Sequence, residues 1–185
     1  QLVYSLVNSL PGFVCERFFY QDNQPPVSLE SGRPLRDFPI LLCSLSFEQD
    51  FLNLLALFAA GGIEPLAEKR SAGVSRFRQG QPLVIGGGVA SFINPEPLAP
   101  FVDLFVVGEA EPILPQLMEH LAGHLAAEEP EALLRGIVRN FSGCYVPRLY
   151  TMHYGEDGIL ARIEADPEAP ARVRRVVLDK SLVAG

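Results

Sequence analysis

The sequence contains no tryptophan, two methionines and only three cysteines in 185 residues. Cys15, Cys43 and Cys144 lie far apart, so their spacing matches neither a disulfide framework nor a paired-cysteine metal site. We therefore expect three buried thiols in a reducing compartment, and hence a cytoplasmic protein.

Long apolar runs and an excess of positive charge are also missing. No run reaches the ~18 apolar residues that a membrane-spanning helix requires, so no membrane partner is expected. The formal net charge is −7, with 15 Lys and Arg against 22 Asp and Glu. Because an acidic surface repels phosphate backbones, nucleic acid is not an expected partner of this chain either.

Sequence signals for hydrolysis and phosphate binding are missing too. His120 and His124 share a helical face, but no glutamate between them completes a His-Glu-x-x-His metal site. There is no nucleophile elbow. No Lys-Ser or Lys-Thr follows the glycine run at 86–88, and we expect no helix directly after that run. We predict that this chain carries no catalytic residues.

What the sequence does contain is an alternation of apolar strands with amphipathic helices. Continuous apolar runs, typical of strands covered on both faces, occupy residues 37–44, 82–85 and 102–107. Helical periodicity occupies residues 2–10, 47–58 and 109–125. This order predicts an α/β fold with an open parallel sheet and helices on both faces.

Local signals set the expected ends of these elements. The glycine pair at 61–62 should end the second helix. The third helix should begin near Glu109, with Pro112 in its first turn, where a missing N–H costs nothing. A short additional strand is expected at residues 13–20.

The alternation of strands and helices ends at about residue 140. Apolar segments at 145–150 and 159–163 flank Asp157-Gly158, a strong hairpin signal. Residues 172–178 would supply a third strand. We therefore predict two units, an α/β domain at 1–140 and a small C-terminal β appendage at 141–185.

Candidate ligand-binding residues follow the ends of the predicted strands. In open parallel sheets, ligands bind beyond the carboxyl ends of the strands. Glycine there lets a flat ligand approach the backbone, although a tight turn alone also explains a glycine run. The predicted cofactor-binding residues are Ser44, Ser46, Gly86, Gly87, Gly88, Asn94, Glu96, Gly108 and Glu109.

Several short segments occur in a characteristic order along most of the chain. They include residues 34–38, 82–88, 94–99, 108–109 and 143–150. In this combination the chain resembles the N-terminal region of an uncharacterised group of radical S-adenosylmethionine (SAM) proteins. The Asn-Pro-Glu-Pro segment with Gly-Glu downstream is the more specific part of the resemblance.

The resemblance implies both a cofactor and a partner. Such N-terminal regions are similar to a cobalamin-binding domain, which implies a flavodoxin-like or Rossmann-like fold, and they precede a radical SAM barrel in the same polypeptide. The barrel's Cys-x-x-x-Cys-x-x-Cys motif holds a 4Fe-4S cluster that cleaves SAM. The resemblance thus makes cobalamin the candidate cofactor of this domain, and it places the cluster and SAM only in the parent enzyme outside this chain.

The chain departs from the family pattern in three ways. It lacks the cluster motif, and it lacks the Asp-x-His-x-x-Gly motif, so cobalamin would have no lower histidine ligand here. The first strand of the sheet is expected to precede Gln1, leaving an exposed edge through which a homodimer could form. The alternatives are a module of the same protein that docks substrate or partners without a cofactor, and an unrelated nucleotide-dependent α/β enzyme.

Overall fold

The computed structural model describes residues 1–21, 24–70, 81–124 and 129–179. Its main sheet has four strands in the order of the sequence. They are β1 (Ile40–Ser44), β2 (Leu83–Gly87), β3 (Leu104–Val106) and β4 (Cys144–Tyr145). The first three run parallel and β4 pairs antiparallel with β3. The three predicted apolar strands and the α/β class are thus confirmed.

Helices connect the strands. They are α1 (Leu2–Asn8), α2 (Gln49–Gly61), α3 (Ala67–Arg70), α4 (Val89–Ile93), α5 (Leu114–His124) and α6 (Pro130–Asn140). Helix α2 ends as predicted at the glycine pair: Gly61 is its last residue, and the next residue, Gly62, has a φ of 68°, the left-handed conformation that glycine adopts without strain. None of the helices in the described parts of the chain is long and apolar enough to cross a bilayer.

Apolar side chains cover both faces of the main sheet, as expected for parallel strands. On one face, α1, α5 and α6 pack over residues such as Ile85 and Leu104. On the other, α2 and α4 pack over Val84 and Phe105. Successive side chains of β2 therefore point into two separate cores.

Several local predictions were wrong. Residues 13–20 form no strand, because side chains of other segments bind their backbone: the amide of Cys15 donates to Asn8 Oδ1 at 2.9 Å, and that of Arg17 to Glu30 Oε2 at 2.7 Å. Helix α4 begins directly after Gly88, where no helix was expected. A further error concerns the start of α5.

Helix α5 begins at Leu114 and not near Glu109. The amide of Glu109 donates to the carbonyl of Val176, and a turn at residues 111–113 follows. Pro115, not Pro112, therefore occupies the first turn. The expected end of this helix near residue 125 lies outside the described residues.

The predicted C-terminal hairpin is present, with its first strand shifted along the chain. Strands β5 (Tyr150–Tyr154) and β6 (Leu160–Ala165) pair antiparallel around Gly158, which has a φ of 74°. Residues 172–178 add no strand to this sheet, contrary to expectation. Their one bridge joins Val176 to Gly108, next to the main sheet.

The division at residue 140 stays a prediction. Strand β4, just beyond that point, belongs to the main sheet, where Tyr145 pairs with Phe105.

Candidate ligand or docking rim

The carboxyl ends of the parallel strands meet at one edge of the main sheet, here called the rim. Ser44 is opposite Gly87 in the register of β1 and β2, and Gly86 is opposite Phe105. The amide of Leu45 donates to the carbonyl of Gly87 at 2.8 Å. Ser44, the glycine run and the step after β3 therefore share this rim, and Ser44 is exposed there.

Two of the rim glycines are in close contact with the protein itself. A Cβ on Gly86 would come within 2.6 Å of the Phe105 ring. A Cβ on Gly88 would come within 2.5 Å of the Leu45 carbonyl oxygen, and its φ of 104° also favours glycine. Close packing therefore explains both residues, whereas Gly87 has only one neighbour, at 3.8 Å.

Ser46 lies in the loop just before α2, which begins at Gln49. The backbone amides of Ser46 and Phe47 donate to Asp50 Oδ2 at 2.8 and 3.0 Å. The Asp50 carboxylate therefore ties this loop to the first turn of α2. Asp50 was not among the predicted site residues.

Asn94 and Glu96 follow α4 and do not line a common pocket with the glycines. Glu96 lines a pocket of about 280 Å³ together with Pro100 and Arg148. It accepts a hydrogen bond of 2.5 Å from the Tyr145 hydroxyl. Burial, and then this carboxylate, raise the pKa of Tyr145, so its hydroxyl keeps the proton that it donates. Asn94 is exposed.

Residues 173–178 cover the part of the rim that follows β3. We call this segment the strap. Val176 donates to the carbonyl of Val107 and accepts from the amide of Glu109, both at 2.9 Å, and the Glu109 carboxylate accepts from the amide of Leu178. A Cβ on Gly108 would lie 2.1 Å from the Val176 carbonyl oxygen.

Exposed apolar side chains surround the rim. Val89 and Ile93 lie four residues apart on α4, with relative exposures of 54% and 71%; Phe47 is 71% exposed and Val177 60%. The amide of Ala90 donates to the carbonyl of Leu45, which ties α4 to the loop that leads to Phe47. We call Phe47, Val89, Ile93 and Val177 the rim patch. The helical periodicity had placed Phe47 at the start of the second helix, but α2 begins only at Gln49.

Two of the glycines predicted to bind a cofactor are in contact with the protein itself. Gly88 contacts Leu45 and Gly108 contacts the strap, so neither presents open backbone to a large flat ligand. The three histidines lie elsewhere, His120 and His124 on α5 and His153 on β5. Among the described residues, no cluster of three His, Cys, Asp or Glu side chains could hold a metal ion.

The thiols also differ from the expectation of three buried groups. Cys144 is buried, and burial raises the pKa of its thiol to about 12. Cys15 and Cys43 are partly exposed as residues, but burial raises the pKa of the Cys43 thiol to about 12 as well, so the departure is clear only for Cys15. All three are free thiols.

Comparison with known families decides the affiliation of the chain. A family model described as radical SAM proteins, N-terminal, matches residues 1–147. The chain belongs to this family. It is an accessory N-terminal region of a radical SAM protein, and the resemblance seen in the sequence is confirmed to that extent. No curated protein and no solved structure matches the chain.

The match to the radical SAM N-terminal family ends just after β4. It therefore includes every strand of the main sheet and the whole rim except the strap, and it leaves out the β5–β6 hairpin. Cobalamin binding is not part of what the match shows, and it stays a prediction.

Proposed function

We propose that this chain is a non-catalytic docking module of a radical SAM protein, and that the rim patch contacts the catalytic barrel of the same polypeptide. The observation that carries the proposal is the rim patch itself. It sets four large apolar side chains at the strand ends, where open α/β sheets usually bind ligands.

Apolar side chains exposed to water raise the free energy of a protein unless a partner covers them. Clustered apolar side chains on a soluble domain mark interaction sites, because water is released when a partner buries them. Val89 and Ile93 project from the same face of α4, so a single surface can contact both. The strap adds Val177 and the Arg175 guanidinium, which lies 4.5 Å from the centre of the Phe92 ring.

The state of the rim favours docking over cofactor binding. At three of the rim glycines, other parts of the protein occupy the space that a ligand would need. Phe105 lies against Gly86, Leu45 against Gly88 and the strap against Gly108. A protein surface can bind on top of these contacts, whereas a corrin ring would first have to displace some of them.

The test compares the 185-residue chain with the full-length parent by amide hydrogen exchange. We expect residues 45–47 and 89–93 to be protected in the parent and to exchange faster in the isolated chain. Ile93→Asp in the parent should restore fast exchange at the rim, because a carboxylate cannot be buried in an apolar contact without a partner.

Leu29→Asp is the matched control. Leu29 is 59% exposed and lies in the turn at residues 28–32, which is not one of the segments that form the rim. It should leave the protection of the rim unchanged. Equal exchange in the parent and the isolated chain would overturn the docking proposal.

Cobalamin binding is the second candidate function, and the family resemblance supports it. The full-length parent is used to test it as well. The full-length parent is mixed with hydroxocobalamin and desalted, and its visible spectrum is recorded. We expect no retained corrin absorption. A stoichiometric corrin spectrum would overturn the cofactor-free proposal and would require the strap to leave Gly108.

A further inference from the structure

The β5–β6 hairpin has an exposed outer edge. The hairpin forms a sheet of its own, separate from the main sheet. Along β6 every residue is exposed except the last, Ala165, which is half-buried. Among the described elements, the main contacts of each hairpin strand are with the other. Because a two-stranded hairpin is only marginally stable by itself, a further strand at this edge would stabilise it.

The backbone of β6 has hydrogen-bonding groups that point away from β5. The amide of Asp166, just beyond β6, donates to the carbonyl of Leu149 at 2.7 Å, which fixes the alternation of the pair. Counting back from this bond, Arg162 and Glu164 exchange backbone hydrogen bonds with β5, whereas Ile163 directs its N–H and C=O outward. None of the described residues bonds to these two groups of Ile163. Another strand would satisfy both.

The sequence of β6 is arranged symmetrically about Ile163. The residues next to it are Arg162 on one side and Glu164 on the other, and Ala161 and Ala165 follow. In an antiparallel pair of two β6 strands with Ile163 opposite Ile163, each arginine lies opposite a glutamate of the second copy. Alanine then lies opposite alanine at the outer positions. Opposite charges and small side chains therefore match from residue 161 to residue 165.

Neighbouring registers of the same pairing are unfavourable. Pairing centred on Arg162 would place arginine opposite arginine, and pairing centred on Glu164 would place glutamate opposite glutamate. Like charges directly opposite each other are destabilising. Both residues also use their backbone groups to bond to β5, so neither can be the centre of a new hydrogen-bonded pair. Side chains and backbone thus select the same register.

We propose that the hairpin is a dimerisation element, in which β6 pairs antiparallel with β6 of a second copy of the chain. The two Ile163 residues exchange N–H···O=C hydrogen bonds at the two-fold axis, and the four hairpin strands form one sheet. Arg162 and Glu164, which contact each other at 2.7 Å within one strand, each gain a second partner across the axis.

The apolar face of the hairpin becomes continuous in this dimer. Met152 is opposite Ile163 and Tyr154 is opposite Leu160 in the hairpin register, so these four side chains share one face. Ile163 is 53% exposed and Tyr154 65%. Pairing through β6 brings the two apolar faces side by side, and contact between them removes apolar surface from water. Because the paired strands are short, we expect a reversible dimer of the weak class.

This surface differs from the others described for the chain. It is separate from the rim patch, and it is not the edge before β1 through which the sequence predicted a homodimer. The family match ends at residue 147, before the hairpin begins, so membership of the family does not imply this dimer. The proposal is also independent of docking to the barrel.

The test reverses charges of β6 in the 185-residue chain and measures mass by sedimentation equilibrium. The unmodified chain should show a reversible monomer–dimer equilibrium. Arg162→Glu and Glu164→Arg should each weaken the dimer about tenfold or more, because each variant has like charges opposite each other on both sides of Ile163. Glu156→Arg, in the exposed turn of the hairpin, is the matched control for Glu164→Arg and should leave the dimer unchanged.

A mixture of the two β6 variants distinguishes a lost charge match from a damaged fold. In an equimolar mixture, arginine again lies opposite glutamate on both sides of Ile163, so a heterodimer should form at concentrations where each variant alone is monomeric. A monomeric unmodified chain at every concentration would overturn the proposal. Variants that dimerise like the unmodified chain would do the same, as would a mixture that stays monomeric.

Discussion

Asp103 is a fully buried carboxylate held between two arginines. Its Oδ2 accepts from the Arg70 guanidinium at 3.1 Å and from the amide of Val84 at 2.9 Å. Its Oδ1 accepts from Arg148 at 3.2 Å. The carboxylate thus joins β2 and the start of β3 to two segments distant in sequence, and these bonds offset the cost of burying a charge.

We expect Asp103→Asn to destabilise the fold by about 3–5 kcal/mol, because the buried guanidinium of Arg70 loses the opposite charge next to it. The midpoint of urea unfolding measures the loss. Glu164→Gln is the control, because it removes an exposed carboxylate that contacts Arg162 at 2.7 Å and should change stability little. A midpoint for Asp103→Asn equal to that of the control would refute the structural role of Asp103.

The rim glycines show how much the residue type alone predicts about a site. Their position at a strand end indicated a close approach to the backbone, and the structure has such an approach at Gly86 and Gly88. The approaching groups, however, are Phe105 and Leu45, from the same chain. Sequence shows that space is needed at a glycine but does not identify its occupant.

At the scale of elements, the strap is the feature that sequence analysis did not place. It was expected to extend the hairpin sheet, and it lies instead across Gly108. One bridge and a few hydrogen bonds hold it, Val173 and Val176 pack at the margins of the two cores, and none of its residues is fully buried. Segments with few buried contacts open at low free-energy cost.

Gly108→Ala should detach the strap, because a methyl group would lie 2.1 Å from the Val176 carbonyl oxygen and the φ of 121° disfavours alanine. We expect faster amide hydrogen exchange at residues 174–178 and unchanged exchange rates in β1–β3. Gly158→Ala is the control, since its φ is also positive but nothing lies within 4 Å. Slow exchange of the strap in the Gly108 variant would show that other contacts hold it.

Periodicity predicted the longer elements better than the short ones. Helix α2 combines apolar residues at helical spacing with a terminal glycine, so two independent signals agreed. Residues 13–20 had only their apolar character. Their backbone bonds go to Asn8 and Glu30, and no local pattern predicts partners that distant.

At the scale of the whole molecule, the main sheet needs residues from beyond the predicted boundary at 140. Cys144, Val146 and Leu149 are buried in the core with α5 and α6. Strand β4 also covers the edge of β3 that would otherwise be unpaired. The stability of the α/β unit therefore depends on the start of the predicted appendage.

Two fragments test the boundary. Residues 1–140 should be much less stable than residues 1–171, because each buried Val or Leu side chain that is lost contributes about 1.5–3 kcal/mol. Urea unfolding followed by circular dichroism and by tyrosine fluorescence measures the difference, since the chain has no tryptophan. Equal stability of the two fragments would confirm the division at residue 140.

The sequence by itself determined the α/β class, the three parallel strands, the rim where they end and the family. These features depend on periodicity, strand-end glycines and short motifs, all of which are local along the chain. Only the tertiary structure decided that β4 belongs to the main sheet and that the strap covers Gly108. Each of these depends on a contact between segments far apart in sequence, and the free energy of such a contact comes from surfaces that exist only once the chain has folded.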